Sequence, residues 1–259
     1  MISQSRNTGY YVDSNYLRQA ASITAPVKKY SYSQLQCRSD SRILDAGCGP
    51  GIDTAVLSES FSQEGTTVGI DIDLHMVKDA YARSARNVLY NQSSICQLPF
   101  KTGYFDACRS ERVFQHLPSP EDALREMIRV TRKGGRIVVV DTDHSAMSVD
   151  TPEVDIEWRL RRIHTERFQH GYAGRSLYRL FRKAGMSNVE VKSFVIHTTS
   201  YPVFRFACEF DSLCLLAMSK GVVTEKEIGF FKESLERNDT QGTFFGTMNM
   251  MVVSGSVME

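Results

Sequence analysis

The 259-residue sequence has no apolar run long enough to cross a bilayer, and its start, MISQSRNTGYYVDS, has no basic region followed by an apolar one. Neither secretion nor membrane insertion is expected, and the chain reads as cytoplasmic. Paired cysteines are also missing. Cys37, Cys48, Cys96, Cys108, Cys208 and Cys214 are scattered, with no CxxC pair and no Cys/His cluster at zinc spacing, so reduced thiols and no metal site are expected. Charge of one sign is absent too: 31 Lys and Arg stand against 30 Asp and Glu, which leaves no field to gather nucleic acid or anionic lipid. The expected partner is a small molecule, with a homodimer as the one protein assembly to consider. No repeat or low-complexity segment divides the chain, and its length suits one domain with a modest insertion.

What is present is an alternation of strand and helix. Residues 1–40, rich in Ser, Tyr and Gln, predict a short helical cover over a domain formed by residues 41–259. Short β-type runs are expected at 42–46, 66–71, 87–90, 105–109 and 136–140, the last unbroken enough to be buried on both faces. Helices are expected at about 53–61, at 74–83 behind Asp73 as N-cap, and from Pro120 behind Ser119 as N-cap until Gly134-Gly135. Residues 145–173 break this rhythm with a charged, helix-prone stretch that has no evident strand partner, and predict a lid or substrate insertion. A helix from Gly174, a sixth strand at 188–196, helices at about 202–219 and 224–237, and a closing strand within 243–257 complete the pattern. The fold expected is α/β: a doubly wound, mostly parallel, seven-stranded sheet with an antiparallel C-terminal strand and a helical lid.

The first strand runs into Asp45-Ala46-Gly47-Cys48-Gly49-Pro50-Gly51. A turn of this kind lets backbone approach an adenosine-containing ligand closely, which larger side chains would obstruct. The ribose hydroxyls then need an acceptor at the end of the second strand, and Asp71 lies there, 20 residues beyond Gly51. A nicotinamide-dependent oxidoreductase would carry a third glycine where this chain has Ile52, which argues against that reading.

The GxGxG spacing with Asp45 before it resembles motif I of the class I, Rossmann-like S-adenosylmethionine-dependent methyltransferases. Gly69-Ile70-Asp71 is similar to their motif II, and Leu98-Pro99-Phe100 with Phe105-Asp106 to motif IV. Arg129-Val130-Thr131-Arg132-Lys133-Gly134-Gly135-Arg136 is similar to their approach to the fifth strand. Together these span about residues 40–140. The Leu-Pro-Phe and Arg-Val elements resemble the small-molecule branch that contains ubiquinone/menaquinone and sterol methyltransferases. The resemblance implies S-adenosylmethionine as cofactor, with S-adenosylhomocysteine as product. It places Asp45 and the turn Gly47, Cys48, Gly49 and Gly51 near the methionyl part, Asp71 on the ribose, and Ile72 with Ile95 on the adenine. Ser94 stands where the family usually has an aspartate for the adenine amino group; its hydroxyl accepts the same hydrogen bond more weakly. A cofactor-binding regulator or scaffold without turnover is the main rival, since motif and fold do not establish catalysis.

The methyl acceptor is expected beyond the carboxyl ends of the fourth and fifth strands. Arg112 is expected to line the cofactor, and His116 and His144 are the candidate general bases, because histidine titrates near neutral pH. Tyr10 and Tyr11 from the amino-terminal cover, Asp143 beside His144, and Arg162 in the insertion are candidate acceptor contacts.

Overall fold

A computed structural model describes residues 23–61, 63–83 and 87–258. Tyr10, Tyr11 and most of the expected amino-terminal cover lie outside them. The seven strands are β1 (Arg42–Ala46), β2 (Thr66–Asp71), β3 (Val88–Gln92), β4 (Phe105–Glu111), β5 (Thr131–Val149), β6 (Ser187–Thr198) and β7 (Gly246–Ser256), ordered β3-β2-β1-β4-β5-β7-β6. β1 pairs in parallel with β2 and β4, β2 with β3, and β4 with β5; β7 runs antiparallel to both β5 and β6. This is the doubly wound sheet expected, with its single reversed strand at the C-terminus.

Alternation along β5 explains the two layers around it. Ile137 and Val139 join one core with Leu44, Val68 and Cys108, covered by α4 (Pro120–Val130) and α6 (Ala173–Lys183). Val138 and Val140 point the other way and join Ile43, Ala107 and Val252, covered by Val27 of α1 (Ala25–Ser33) and Leu57 of α2 (Ile52–Phe61). Side chains of a strand alternate faces, so a run buried on both sides reads as continuously apolar. α3 (Leu74–Tyr81) is capped by the Asp73 carboxylate, which accepts from the His75 amide, and α4 by the Ser119 hydroxyl, which accepts from the Asp122 amide. Both caps are those read from the sequence.

Three boundaries differ from expectation, the two ends of β5 through non-local pairing. β5 begins at Thr131 and continues to Val149, nineteen residues, because Thr131 pairs with Phe105 and the far end pairs with the start of β7 through Ser148 with Thr247 and Val149 with Gly246. Residues 145–149 therefore extend the sheet, and the helical part of the insertion starts only at α5 (Val154–Glu166). The helix expected over 202–219 breaks at Glu209, whose φ of +47° is left-handed, and becomes α7 (Tyr201–Ala207) and α8 (Phe210–Ser219). With α9 (Glu225–Thr240), these helices enclose a third core built on Leu160, Phe204, Phe210, Leu213, Phe231 and Phe244. Met147 and Val149 of β5 belong to it, so the lid is rooted in the sheet at the end where a ligand of such a fold binds.

Two helical glycines make opposite predictions. A Cβ on Gly174, in α6, would fall 2.9 Å from the Asp141 carbonyl oxygen and 2.9 Å from the Asp143 amide of β5, whereas one on Gly229, in α9, meets nothing within 4 Å. Gly174→Ala is expected to lower the unfolding free energy by about 1–3 kcal/mol through overpacking. Gly229→Ala is expected to raise it by up to about 1 kcal/mol through helix propensity. Denaturant unfolding of the two variants checks the pair; equal effects of the same sign contradict it.

Candidate cofactor and acceptor site

The turn after β1 is held by its own amides. Gly47 and Cys48 both donate to the Ile70 carbonyl at 2.8 Å, Gly51 donates to the Cys48 carbonyl at 3.1 Å, and Gly49 donates to Asp71 Oδ2 at 2.9 Å. Gly47 and Gly51 have φ of +82° and +78°, and a Cβ on Gly47 would meet Val113 Cγ2 at 2.2 Å, so other residues are excluded by conformation and by space. Asp71 Oδ1 accepts from the Asp73 amide at 2.9 Å. Each carboxylate oxygen has a second lone-pair site, so Asp71 remains able to accept from two ribose hydroxyls after both backbone bonds are made. Burial raises its carboxyl above the usual range, while the Asp73 and Gly49 amides work against that rise.

Next to Asp71, Ile72 is 69 % exposed, an apolar surface beside a polar acceptor as an adenine ring requires. Ser94 Oγ accepts from the Cys96 amide at 3.2 Å and keeps a lone pair for an exocyclic amine, and Ile95 is buried behind it. Asp45 is buried and accepts from Thr54 Oγ1 at 2.7 Å; burial pushes its carboxyl up to about 6, against the pull of Arg109. Arg112, left-handed at φ +55°, donates its amide to the Val140 carbonyl and lines one cavity of about 70 Å³ with Lys28, Asp45, Gly47, Gly49 and Asp53. Of the residues expected at the cofactor, Asp45, Gly47, Cys48, Gly49 and Arg112 line this one cavity at the switch point between β1 and β4, and Asp71 is tied to it through the Gly49 amide. A larger cavity, about 450 Å³, lies in the helical lid by Tyr201 and Arg205 and contains none of them.

Beneath the turn lies a charge cluster that sequence reading missed. Arg109 of β4 is fully buried and pairs with Glu111, with Asp53 at 3.3 Å and with Asp45 at 3.7 Å. Its Nε donates to Ser31 Oγ at 3.1 Å, and its guanidinium lies 4.8 Å over the Tyr32 ring. Lys28 completes the cluster at 2.6 Å from Asp53 and 3.4 Å from Glu111. Burial alone would raise Asp53, but Arg109 and Lys28 outweigh it and hold the carboxyl at about 2. Two cations against three carboxylates leave one net negative charge when all are ionised, which suits a sulfonium ligand. The signal in the sequence was Arg109 and Glu111 two apart, on the same face of β4 as apolar Phe105 and Ala107.

On the acceptor side the structure joins His144 and His116 through Gln115. His144 is buried, with Nε2 at 2.9 Å from Gln115 Oε1 and Nδ1 at 3.0 Å from His164 Nε2, and Gln115 Nε2 lies 2.9 Å from His116 Nε2. Phe168 stacks on His144 with ring centres 3.7 Å apart and also touches His116 and His164 at 5.6 Å each. Neither Gln115 nor Phe168 was a sequence candidate. Burial lowers all three imidazoles: His116 to about 4, His164 to about 3, and His144 well below its ordinary value. Asp143 is also buried, but its carboxylate is taken by Arg175 and by Ser145 Oγ at 2.8 Å. Arg162 lies on the exposed face of α5, paired with Glu166 at 2.7 Å, and is not brought to this cluster.

This sheet order, glycine turn and acidic strand end define a class: the chain carries a methyltransferase domain with the class I, Rossmann-like fold. The methyltransferase domain family matches residues 44–139. Over 178 residues the chain is 34 % identical to an uncharacterised protein of a Streptomyces fradiae transposon, covering 67 % of this chain and 52 % of that protein. Over 111 residues it is 32 % identical to a demethylmenaquinone methyltransferase of Lactococcus lactis, covering 41 % of this chain and 44 % of that one. The chain thus spans about half the length of the curated relatives it matches. In fold it is similar to the YcgJ protein of Bacillus subtilis, with a TM-score of 0.64, 18 % identity and coverage of 91 % and 99 % of the two chains. It is similar in the same way to a geranyl diphosphate methyltransferase in complex with its cofactor, at 0.57, 16 %, 96 % and 93 %. Among the described residues no helix is long and apolar enough to cross a membrane.

The buried imidazoles set a sign for acid stability. A histidine held at about 3 when folded and near 6.5 when unfolded binds fewer protons in the native state, so its contribution is complete above the unfolded value and is lost as pH falls below it. Asp141 and Asp45, pushed up to about 7 and about 6 chiefly by burial, act oppositely, losing their contribution as pH rises from the ordinary carboxylate range through those values. The test therefore isolates one group. In His164→Phe the loss of unfolding free energy between pH 7.5 and 5.5 is expected to shrink by about 1 kcal/mol relative to the parent. An unchanged loss in denaturant titrations at the two pH values contradicts this.

Proposed function

We propose that this protein transfers the methyl group of S-adenosylmethionine to an oxygen, nitrogen or carbon nucleophile of a small molecule in the cytoplasm. The observation that carries the reading is the carboxylate of Asp71, held by Gly49 and Asp73 with two acceptor positions to spare, beside exposed Ile72 and the Lys28–Arg109 charge cluster. When bound, the cofactor supplies an electrophilic sulfonium methyl whose thioether leaves readily, so alignment of the nucleophile accounts for much of the rate. Asp71 fixes the ribose, Ile72 and Ile95 hold the adenine between them with Ser94 at its amino group, and Asp45 with the turn positions the methionyl end.

Arg112 links the two halves of the site. It lines the cavity shared with Asp45 and Gly49, and its charge also depresses His116, second only to burial, and, to a smaller degree, His144. Neutral His116, the half-buried end of the histidine chain, orients or deprotonates the acceptor, and His144, both of whose ring nitrogens are engaged, acts through Gln115. Among the relatives, the demethylmenaquinone methyltransferase name supports a quinone-like or similarly apolar acceptor for this branch.

The test is incubation of the protein with methyl-labelled S-adenosylmethionine and a small-molecule extract, followed by mass spectrometry. Label appearing in a low-molecular-weight product, with stoichiometric S-adenosylhomocysteine, is the expected result. Cofactor binding without labelled product across chemically diverse extracts would favour a regulator.

A further inference from the structure

The amino-acid tail of the proposed cofactor carries a carboxylate, and the glycine turn has no donor left for it. The amides of Gly47, Cys48, Gly49 and Gly51 are all engaged, and Pro50 has none. The helix that follows is no better placed, since Asp53 in the first turn of α2 already puts a carboxylate at its positive end. The donor therefore has to be a side chain. Three cations line the small cavity beside the turn: Lys28, Arg109 and Arg112.

Two of the three are committed elsewhere. The Arg109 side chain is 1 % exposed and is held by Asp45, Asp53, Glu111 and Ser31. The Arg112 charge acts on Asp141, His116 and His144, on the acceptor side, whereas Asp45 and Asp53 answer to Arg109 and Lys28. Lys28 is open to the cavity, with its side chain 13 % exposed, and its Nζ lies 2.6 Å from each Asp53 oxygen and 3.4 Å from Glu111. It is also releasable. If it turns away, Asp53 Oδ1 keeps the Tyr32 hydroxyl at 2.8 Å, Asp53 Oδ2 keeps the Arg109 guanidinium at 3.3 Å, and Glu111 keeps its pairing with Arg109. An ammonium on a flexible four-carbon stem suits such an exchange of partners.

We propose that Lys28 binds the carboxylate of the S-adenosylmethionine tail, exchanging part of its contact with Asp53 for the ligand. The inference rests on the proposed cofactor and adds a specificity to it: the pocket selects ligands with an intact amino-acid end over the same nucleoside with a bare amine. The tail's ammonium then meets the lining carboxylates Asp45 and Glu111. Lys28 belongs to α1, outside the segment 44–139 that matches the methyltransferase domain family, so this contact comes from the chain's own amino-terminal part.

Calorimetric titration with three thioethers tests it: S-adenosylhomocysteine, its decarboxylated analogue, and methylthioadenosine, which has no charged tail. None carries a sulfonium, so only the tail differs. The proteins are the parent, Lys28→Met and Lys28→Gln; the Gln amide still donates to Asp53 and carries the test if the Met variant is too unstable to measure. The parent is expected to prefer S-adenosylhomocysteine to the decarboxylated analogue by about tenfold or more, and the variants to lose most of that preference while binding methylthioadenosine within about twofold of the parent. A parent without the preference, variants that keep it, or an equal loss for all three ligands overturns the proposal. The two readings fail differently. A parent that binds none of the three refutes the cofactor assignment itself, whereas a preference that survives in the variants refutes only the role of Lys28.

Discussion

The site depends on one clamp, the fastening of the glycine turn after β1 onto the end of β2. Every amide donor of that turn is engaged: Gly47 and Cys48 with the Ile70 carbonyl, Gly49 with the Asp71 carboxylate, Gly51 with the Cys48 carbonyl, and Pro50 has none to offer. Buried backbone polar groups need partners, and here the partners come from the strand that also supplies the ribose acceptor. The cradle and its acid are therefore positioned together, before any ligand arrives. Preorganisation of this kind lowers the ordering cost of binding, which is why the geometry is legible without a bound cofactor.

The charge cluster below the clamp is the second constraint. A fully buried guanidinium is tolerated only because Glu111, Asp53 and Asp45 face it, with Ser31 and Tyr32 of α1 closing its remaining sides. Lys28 pairs with two of the same carboxylates, so α1 is attached to the cofactor pocket by ions as well as by Val27. Such clusters contribute less to net stability than to fixing one arrangement, because desolvation offsets much of the attraction. Here the arrangement fixed is the wall of the small cavity that Lys28, Asp45, Asp53, Arg109 and Glu111 line beside the glycine turn.

How much of this the sequence discloses depends on whether the cause is local. Asp73 and Ser119 act within their own helix turns, and the glycine turn announces itself by residue type, so the caps and the turn were legible. The length of β5 was not, because its ends are set by Phe105 and by β7, nearly a hundred residues away in the latter case. Arg109 shares its strand face with Phe105 and Ala107, and its compensating carboxylates come from β1, α2 and the end of β4. Arg162 was a candidate acceptor contact by residue type, yet it is a solvated partner of Glu166. Gln115 carries no chemical signature in a sequence; only the folded chain places its side chain between neighbouring His116 and distant His144, which in turn meets His164 and Phe168.

The central claim is that Asp71 and the turn clamped to it form a site for S-adenosylmethionine, and calorimetric titration tests it most directly. The parent protein is expected to bind S-adenosylmethionine and S-adenosylhomocysteine and to give no tight binding of NAD. Asp71→Ala removes two charge-assisted hydrogen bonds to the ribose, at about 1.5–3 kcal/mol each, so both affinities are expected to fall by roughly a hundredfold or more. Equal affinity of Asp71→Ala and the parent, or tight NAD binding with no response to the other two ligands, would contradict the account.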